Sequence, residues 1–268
     1  MSTLIDGRPQ ASLPADDRGF LYGDALFETI AFVSGRAPLW PLHWQRLSSS
    51  AARLDLALPD AGTLFNDACR AAGSDRAVVR ITLSRGSGGR AYWPDRGAPT
   101  RRVVQSRPWP DSIARQQREG LVVHSAAITL ASDSALAGIK HANRLEQVMA
   151  AIECQHQGTE EALMFDASGH LAEAVAGNLL LEIDGNAVTP EATAGVSGVG
   201  LTWLAGQPEI ELRRARLQRQ DVARAESIMV INSVSGIRPV RRLDGRSLTI
   251  SERCRHWQQL WHTLFDSQ

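Results

Sequence analysis

The chain has 268 residues, 43% of them apolar, and its 29 basic side chains are matched by 29 acidic ones for a formal charge of zero. That length holds one large domain or two modest ones with real cores. A balanced charge provides no field for nucleic acid or an anionic membrane, and no apolar stretch approaches the length of a membrane-spanning helix.

Cys69, Cys154 and Cys254 are odd in number and far apart, with no C-x-x-C pair. This pattern suits free thiols in a reducing compartment rather than a disulfide framework or a metal site. The first residues carry neither a basic nor an apolar targeting pattern, so a cytoplasmic protein is the expectation.

In chain order, Thr3–Ile5 is predicted as a short strand entering the Asp6-Gly7 turn, and Arg18-Gly-Phe-Leu-Tyr-Gly-Asp24 as a glycine-punctuated loop. A strand is expected from Leu26 to Val33. Pro41 suits the first turn of a helix running to about Leu58. Trp44, Leu47, Ala51, Leu54 and Leu58 would form its core stripe, with His43, Arg46, Ser50 and Arg53 on a neighbouring face. A second helix is expected over about Ala61–Ala72, then a strand at Ala77–Leu83, a flexible basic loop at Ser84–Tyr92 and a strand at Arg102–Ser106.

Arg107-Pro-Trp-Pro-Asp111 is the best candidate linker, because two prolines stiffen it and disfavour helix. Beyond it come a strand from Leu121, a helix after Lys140, and a meander through Glu161–Phe165, His170–Ala174, Asn178–Ile183 and Ala187–Thr189. Gly195-Val-Ser-Gly-Val-Gly200 then opens a short helix, Leu201 to Ala205. Ser227–Ile231 has the composition of a buried strand, and Ser251 caps a closing helix that buries Trp257, Leu260, Trp261 and Leu264. The organisation expected is α+β in two domains: a small one at 1–106, a linker at 107–115, and a larger one at 116–268 carrying Lys140.

Lys140 is the only lysine; the other 28 basic side chains are arginines. Arginine cannot supply a free amine near neutral pH, whereas a desolvated lysine can. Most lysines are simply solvated charges. Here, however, Gly138 and Ile139 precede the residue, and an apolar stripe of Leu145, Val148, Met149 and Ile152 follows at helical spacing. A position just before a helix would use the positive dipole end to lower the ammonium pKa. Lys140 is therefore a candidate Schiff-base lysine.

Other features have ordinary readings when taken singly. Glu173 could face water from a strand, Arg46 could be a solvated helix arginine, and Gly195–Gly200 could be only a loop. The glycine run is neither a Walker loop nor a dinucleotide fingerprint. As the opening of a helix it nevertheless offers backbone N–H groups to a phosphate. An amine nucleophile, a phosphate cup, a helix arginine and a strand carboxylate are together what pyridoxal phosphate requires.

Several motifs occur in a matching order: Phe20-Leu-Tyr-Gly-Asp24, Phe27-Glu-Thr29, His43-Trp-Gln-Arg-Leu47, Ser84-Arg-Gly-Ser-Gly-Gly-Arg90, Ile139-Lys-His-Ala-Asn-Arg-Leu-Glu-Gln147, Glu173 with Asn178, and Gly198-Val-Gly200. In these the chain resembles, nearly end to end, the fold-type IV pyridoxal-phosphate enzymes, the family of branched-chain and D-amino-acid aminotransferases. It is most similar to the aminodeoxychorismate lyase branch, in the Arg-Gly-Ser-Gly-Gly-Arg loop and the Lys-His-x-Asn-Arg-Leu-Glu-Gln run.

The resemblance implies that Lys140 holds the cofactor covalently and acts as acid and base. Arg46 would bind the phosphate, with Gly198 and the amides of Val199 and Gly200 cupping it. Glu173 would pair with the pyridinium nitrogen, and Asn178 would support the cofactor loop. Asn232, Ser233 and Val234 match a turn that approaches phosphate and substrate carboxylate. Arg85 and Arg90 are candidates to grip the carboxylates of 4-amino-4-deoxychorismate, with Thr29 and Tyr92 lining the ring pocket. No metal is expected. The implied products are pyruvate and 4-aminobenzoate, a folate precursor, and the implied assembly is a homodimer. Two departures stand out: Ala25 replaces a glycine common in relatives, and Gly200 lacks the hydroxyl found in the aminotransferases.

Two rival readings stay open. One is a D-amino-acid or branched-chain aminotransferase using the same cofactor residues. The other is a catalytically silent relative, which an intact Lys140 and Glu173 disfavour.

Overall fold

The computed structural model describes residues 2–9, 12–191 and 193–266. Its chain separates into two compact units. The first runs to Trp109 and takes in Ile139–Asn143; the second comprises Pro110–Gly138 and the residues from Arg144 onward. The expected assignment of Lys140 to the larger C-terminal domain therefore changes, because the backbone of its segment is bonded into the first unit. Positions 107–108 close a strand and 112–115 begin a helix, so the connection is shorter than the 107–115 linker expected from its prolines.

In the first unit the elements are β1 (Thr3–Ile5), β2 (Arg8–Pro9), α1 (Arg18–Tyr22), β3 (Ala25–Phe32), α2 (Trp40–Arg53), α3 (Ala61–Ala72), β4 (Ala77–Ser84) and β5 (Arg101–Pro108). The strands form one sheet in the order β2-β1-β5-β4-β3. β3 and β4 alternate along a continuous antiparallel register from Ala25↔Ser84 to Phe32↔Ala77. Leu26, Ile30, Val79, Ile81 and Leu83 are buried on one face of this pair. Burial of that face contributes about 25 cal/mol per Å² of apolar surface removed from water.

Arg18–Tyr22, expected as loop, is a single helical turn. Asp17 caps it by accepting from the Gly19 N–H, and Gly23 closes it with φ of +65°. α2 stops at Arg53, short of the expected Leu58. Its buried face includes His43 and Ser50 alongside Leu47 and Ala51, because His43 has a buried carboxylate to meet.

The second unit contains α4 (Ser112–Glu119), β6 (Leu121–Leu130), α5 (Leu145–Gln157), β7 (Glu161–Asp166), β8 (Leu171–Ala174), β9 (Asn178–Ile183), β10 (Asn186–Pro190), α6 (Val199–Ala205), β11 (Arg213–Ala215), α7 (Arg219–Arg224), β12 (Ser227–Asn232), β13 (Gly236–Leu243), β14 (Arg246–Ser247) and α8 (Glu252–Thr263). The sheet order is β11-β10-β9-β12-β13-β6-β7-β8, with β14 beside β13. One core joins Leu121, Leu163, Phe165, Leu179, Leu181, Ile228 and Val240. α8 starts as expected, with Ser251 accepting from the Cys254 N–H and with Trp257 and Trp261 buried.

The helix expected after Lys140 is present as α5, and its apolar stripe lies on an outward face: Leu145, Val148, Met149 and Ile152 are 76%, 51%, 50% and 44% exposed. The helix instead buries Gln147, Ala150 and Cys154. Periodicity identifies an apolar face but not what covers it.

Candidate active site

The site residues fall into two groups, one in each unit. In the first, Ile139–Asn143 runs along the free edge of β3. Leu26 and His141 form an antiparallel bridge, the Phe27 N–H donates to the Lys140 carbonyl at 2.9 Å and the Ala142 N–H to the Ala25 carbonyl at 2.9 Å. An exposed edge is thereby closed, and Lys140 is fixed on the most regular strand of the unit. The Lys140 Nζ sits 4.5 Å from the centroid of the Phe27 ring. α5 begins at Leu145, five positions after Lys140.

Glu28 organises the α2 side. Arg46 grips it with two donors, Nε to Oε1 at 2.8 Å and Nη2 to Oε2, while His43 Nδ1 lies 2.6 Å from Oε2. Burial alone would push the Glu28 carboxyl up, but the charges of Arg46 and His43 and their hydrogen bonds outweigh it and hold the group at about 2. Burial lowers the proton affinity of His43 more than Glu28 raises it, and the positive Arg46 and Lys140 lower it further. Arg46 is thus a braced, mostly buried cation rather than a solvated one.

The glycine-rich loop separates its two candidate arginines. Arg85 donates Nε to Asp24 at 2.8 Å, Nη1 to the Asp55 carbonyl at 2.7 Å and Nη2 to the Leu54 carbonyl at 2.7 Å. Through these three bonds Arg85 ties the loop to the unit. Arg18 joins the same carboxylate through Nε at 3.0 Å and donates Nη1 to the Ala91 carbonyl at 2.7 Å. Arg90 is exposed at a tight turn, where its N–H and carbonyl pair with those of Trp93 and Ala91 takes φ of +49°. Tyr92 is exposed and its ring packs on Tyr22, centroids 5.5 Å apart. Thr29 lies opposite Arg80 in the β3–β4 register.

In the second unit, Glu173 on β8 is 5% exposed. Its Oε2 accepts from the Val196 N–H at 2.8 Å and its Oε1 from Gln147 Nε2 at 3.2 Å. Asn178 donates Nδ2 to the Val196 carbonyl at 2.9 Å, so carboxylate and amide hold the same loop residue from both sides. Gly195 takes φ of +78°, and a Cβ there would stand 2.5 Å from Glu173 Oε2. A Cβ on Gly198 would fall 1.6 Å from Asn178 Oδ1. Close approach of backbone to these two side chains is what demands glycine.

Gly198 caps α6, whose first residues are Val199 and Gly200. Amides in a first helical turn have no intrahelical acceptor, and these two find no other among the described residues. A pair of such donors fits a phosphate. Asn232 proves to be a turn residue: Oδ1 accepts from the Val234 and Ser235 N–H groups at 3.0 and 2.7 Å, and Nδ2 donates to the Ala176 carbonyl at 2.8 Å. This Asx-type cap shapes the Ser233–Val234 turn and gives both ends of the Asn232 amide a backbone partner.

The sequence motifs include Phe27, Glu28, His43 and Gln147 without giving them a role, and they leave out Arg80. A usable signal existed for two of them: Glu28 and Arg80 are single charges inside otherwise apolar strands, and a charge placed there needs a partner.

The model of the amino-transferase class IV family matches residues 25–243. The chain belongs to that family. Among the similar proteins of this class IV chain, aminodeoxychorismate lyase of Vibrio harveyi is 29% identical over 242 residues, spanning 88% of this chain and 89% of the relative. The crystal structure of 4-amino-4-deoxychorismate lyase from Pseudomonas aeruginosa superposes with a TM-score of 0.91 at 36% identity, covering 98% of this chain and all of that one, 100%. Branched-chain amino acid aminotransferase of Escherichia coli shares the fold, with a TM-score of 0.89 at 22% identity over 98% of this chain and 94% of that one.

Among the described residues no helix is long and apolar enough to cross a membrane.

Proposed function

We propose that this class IV chain is a pyridoxal-phosphate-dependent 4-amino-4-deoxychorismate lyase. The observation that carries the reading is the placement of the only lysine, Lys140, on the β3 edge against Phe27, in a chain 36% identical to a lyase of that name. Bound pyridoxal phosphate supplies an electron sink for the carbon bearing the substrate amine.

The protein's own residues supply the rest. Lys140 Nζ would hold the cofactor and, as a free amine, would take the proton from the amine-bearing ring carbon of the substrate. Loss of the enolpyruvyl group at the adjacent carbon completes an aromatic ring. The Lys140 ammonium returns a proton to the methylene carbon of the leaving group, giving pyruvate and regenerating the amine. Glu173, braced by Gln147 and Val196, would hold the ring nitrogen of the cofactor in its protonated form. Arg46, Ser233 and the amides of Val199 and Gly200 bind the phosphate, with Gly198 and Asn178 shaping their loop. Arg90 takes a substrate carboxylate, with Thr29, Tyr92 and Val234 lining the ring. A second copy of the chain covers the exposed stripe of α5, which accounts for four large apolar side chains on one helix face.

The test is Lys140→Arg, which keeps the charge and removes the nucleophile. Loss of both the cofactor's visible absorbance and of pyruvate release is expected; normal turnover by this variant sinks the proposal. Amino transfer dependent on a keto acid, without aminobenzoate, would assign the chain to the aminotransferases instead.

A further inference from the structure

The sheet of the second unit has two apolar faces. Leu163, Phe165, Val222 and Leu243 belong to the core on one of them, while Met164 packs with Ala150 and Cys154 of α5 on the other. Glu173 pairs with Met164 across β7 and β8 and bonds to Gln147 of α5, so this carboxylate lies on the α5 face. On the opposite face a cavity of about 280 Å³ opens between the short helix α7 and the turn joining β13 to β14. Phe165, Val222, Ala223 and Leu243 give it an apolar lining.

We propose that this cavity binds a small organic acid, a single carboxylate on an apolar body, with Arg219 gripping the carboxylate.

The polar groups of the lining differ in how far they are committed. Asp244 accepts from the Ser125 N–H at Oδ1 and from the Ser125 hydroxyl at Oδ2, both at 2.8 Å, which ties the β13–β14 turn to β6. Arg246 donates Nη1 to the Ala225 carbonyl at 3.2 Å and Nη2 to the Val222 carbonyl at 3.1 Å, which ties the same turn to the end of α7. Both walls are thereby fixed by the protein's own bonds. Arg219 differs. Its Cζ lies 4.1 Å from the centroid of the buried Phe165 ring, and among the described residues it has neither a hydrogen bond nor an ion pair. The ring quadrupole holds a guanidinium in place but gives its five N–H donors no acceptor. A cation so held has lost side-chain freedom already, and its planar fork matches a carboxylate.

Charge and size narrow the ligand. Two arginines and one aspartate line the cavity, so its field favours an anion. The Asp244 carboxylate repels a second negative group, which limits the ligand to one. The volume is at the low end for small-molecule sites, about 300–1,000 Å³, so a single ring fits and a dinucleotide does not. Inorganic phosphate could meet Arg219 but would leave the apolar walls unfilled. The aromatic acid named above as the lyase product belongs to this class; that link alone rests on the lyase reading.

Benzoate is the probe, added to the cofactor-loaded full chain labelled with 15N and deuterium. The amide shifts of Ala223 and Asp244 report the cavity, and the cofactor's visible band reports binding beside the cofactor. Saturable shifts at both amides are expected, with a Kd of about 1 mM or tighter. Acetate and inorganic phosphate should each bind about tenfold or more weakly, since neither fills the apolar walls. Arg219→Gln should weaken benzoate about tenfold or more, because charge-assisted hydrogen bonds are lost. Ala223→Phe, at an exposed position, fills the space and should abolish the Asp244 shift with Arg219 still present.

Absence of saturable shifts at about 20 mM benzoate overturns the proposal. So does a folded Arg219→Gln chain that binds benzoate as tightly as the native one, or acetate or phosphate binding as tightly as benzoate. A change in the visible band alone, with both amides still, places the acid at the cofactor and overturns it too. The titration uses neither substrate nor turnover, so its failure is distinct from failure of the lyase reading.

Discussion

Gln147 Nε2 donates to Glu173 Oε1 at 3.2 Å, and both side chains are buried. A carboxylate set against a cofactor ring must be held at a fixed angle, and this amide supplies one of its two braces beside the Val196 N–H. Replacing Gln147 by Leu removes a hydrogen bond to a carboxylate, about 1.5–3 kcal/mol. Cofactor affinity should fall about tenfold or more, measured by titrating the visible band. Gln147→Glu should be worse, because a second carboxylate is forced beside the first. Unchanged affinity in both variants would remove Gln147 from the site.

Glu28 predicts an acid limb in stability. Its folded value of about 2 lies below the ordinary 4.5. The stabilisation is therefore complete above about pH 4.5 and is lost as pH falls toward 2, amounting to up to about 3 kcal/mol. Urea unfolding across this range should show the slope in the native chain and a shallower one in Glu28→Gln. That variant should also lose stability at pH 7, since Arg46 would be left without its buried counter-charge.

Arg85 and Arg90 should separate in their kinetics. Arg85 braces the loop through Asp24, whose carboxyl burial would raise but which Arg85 and Arg18 together hold below its ordinary value. Arg85→Met should cost about 2–3 kcal/mol in stability. Arg90→Met should leave stability within about 0.5 kcal/mol and raise KM for the dianionic substrate about tenfold or more. The reverse pattern would reassign the two.

Gly198→Ala should destabilise the second unit, because its new methyl collides with Asn178 Oδ1. Combining it with Asn178→Ala opens the space, so the double variant should be less destabilised than the sum of the singles by at least about 1 kcal/mol. Additive losses by chemical denaturation would mean that the loop moves rather than the side chain.

The fold was largely legible where side-chain alternation and turn residues agree. β3, β4 and the Ser251 cap of α8 lie where the sequence pattern puts them, and Lys140 stood out by residue type. The α5 stripe marked the helix but not its surroundings, because helical spacing is the same for a face turned to a core and one turned outward. Arg85 and Asn232 showed their donors in the sequence but not their structural partners, because the Leu54, Asp55 and Ala176 carbonyls that bond to them come from distant parts of the chain. Gln147 was hidden within a helix, where only the fold reveals that Glu173 is its partner.

The short run Ile139–Asn143 lines the free edge of β3 although it follows the rest of its unit by some thirty positions in the chain. A nascent polypeptide emerging from the ribosome therefore cannot finish its first globule when Trp109 appears. Until Asn143 has cleared the exit tunnel, β3 presents open backbone donors and acceptors that any passing strand can pair with. An expression product stopped at Trp109 should consequently self-associate, whereas one extended through Asn143 has the means to seal that border itself.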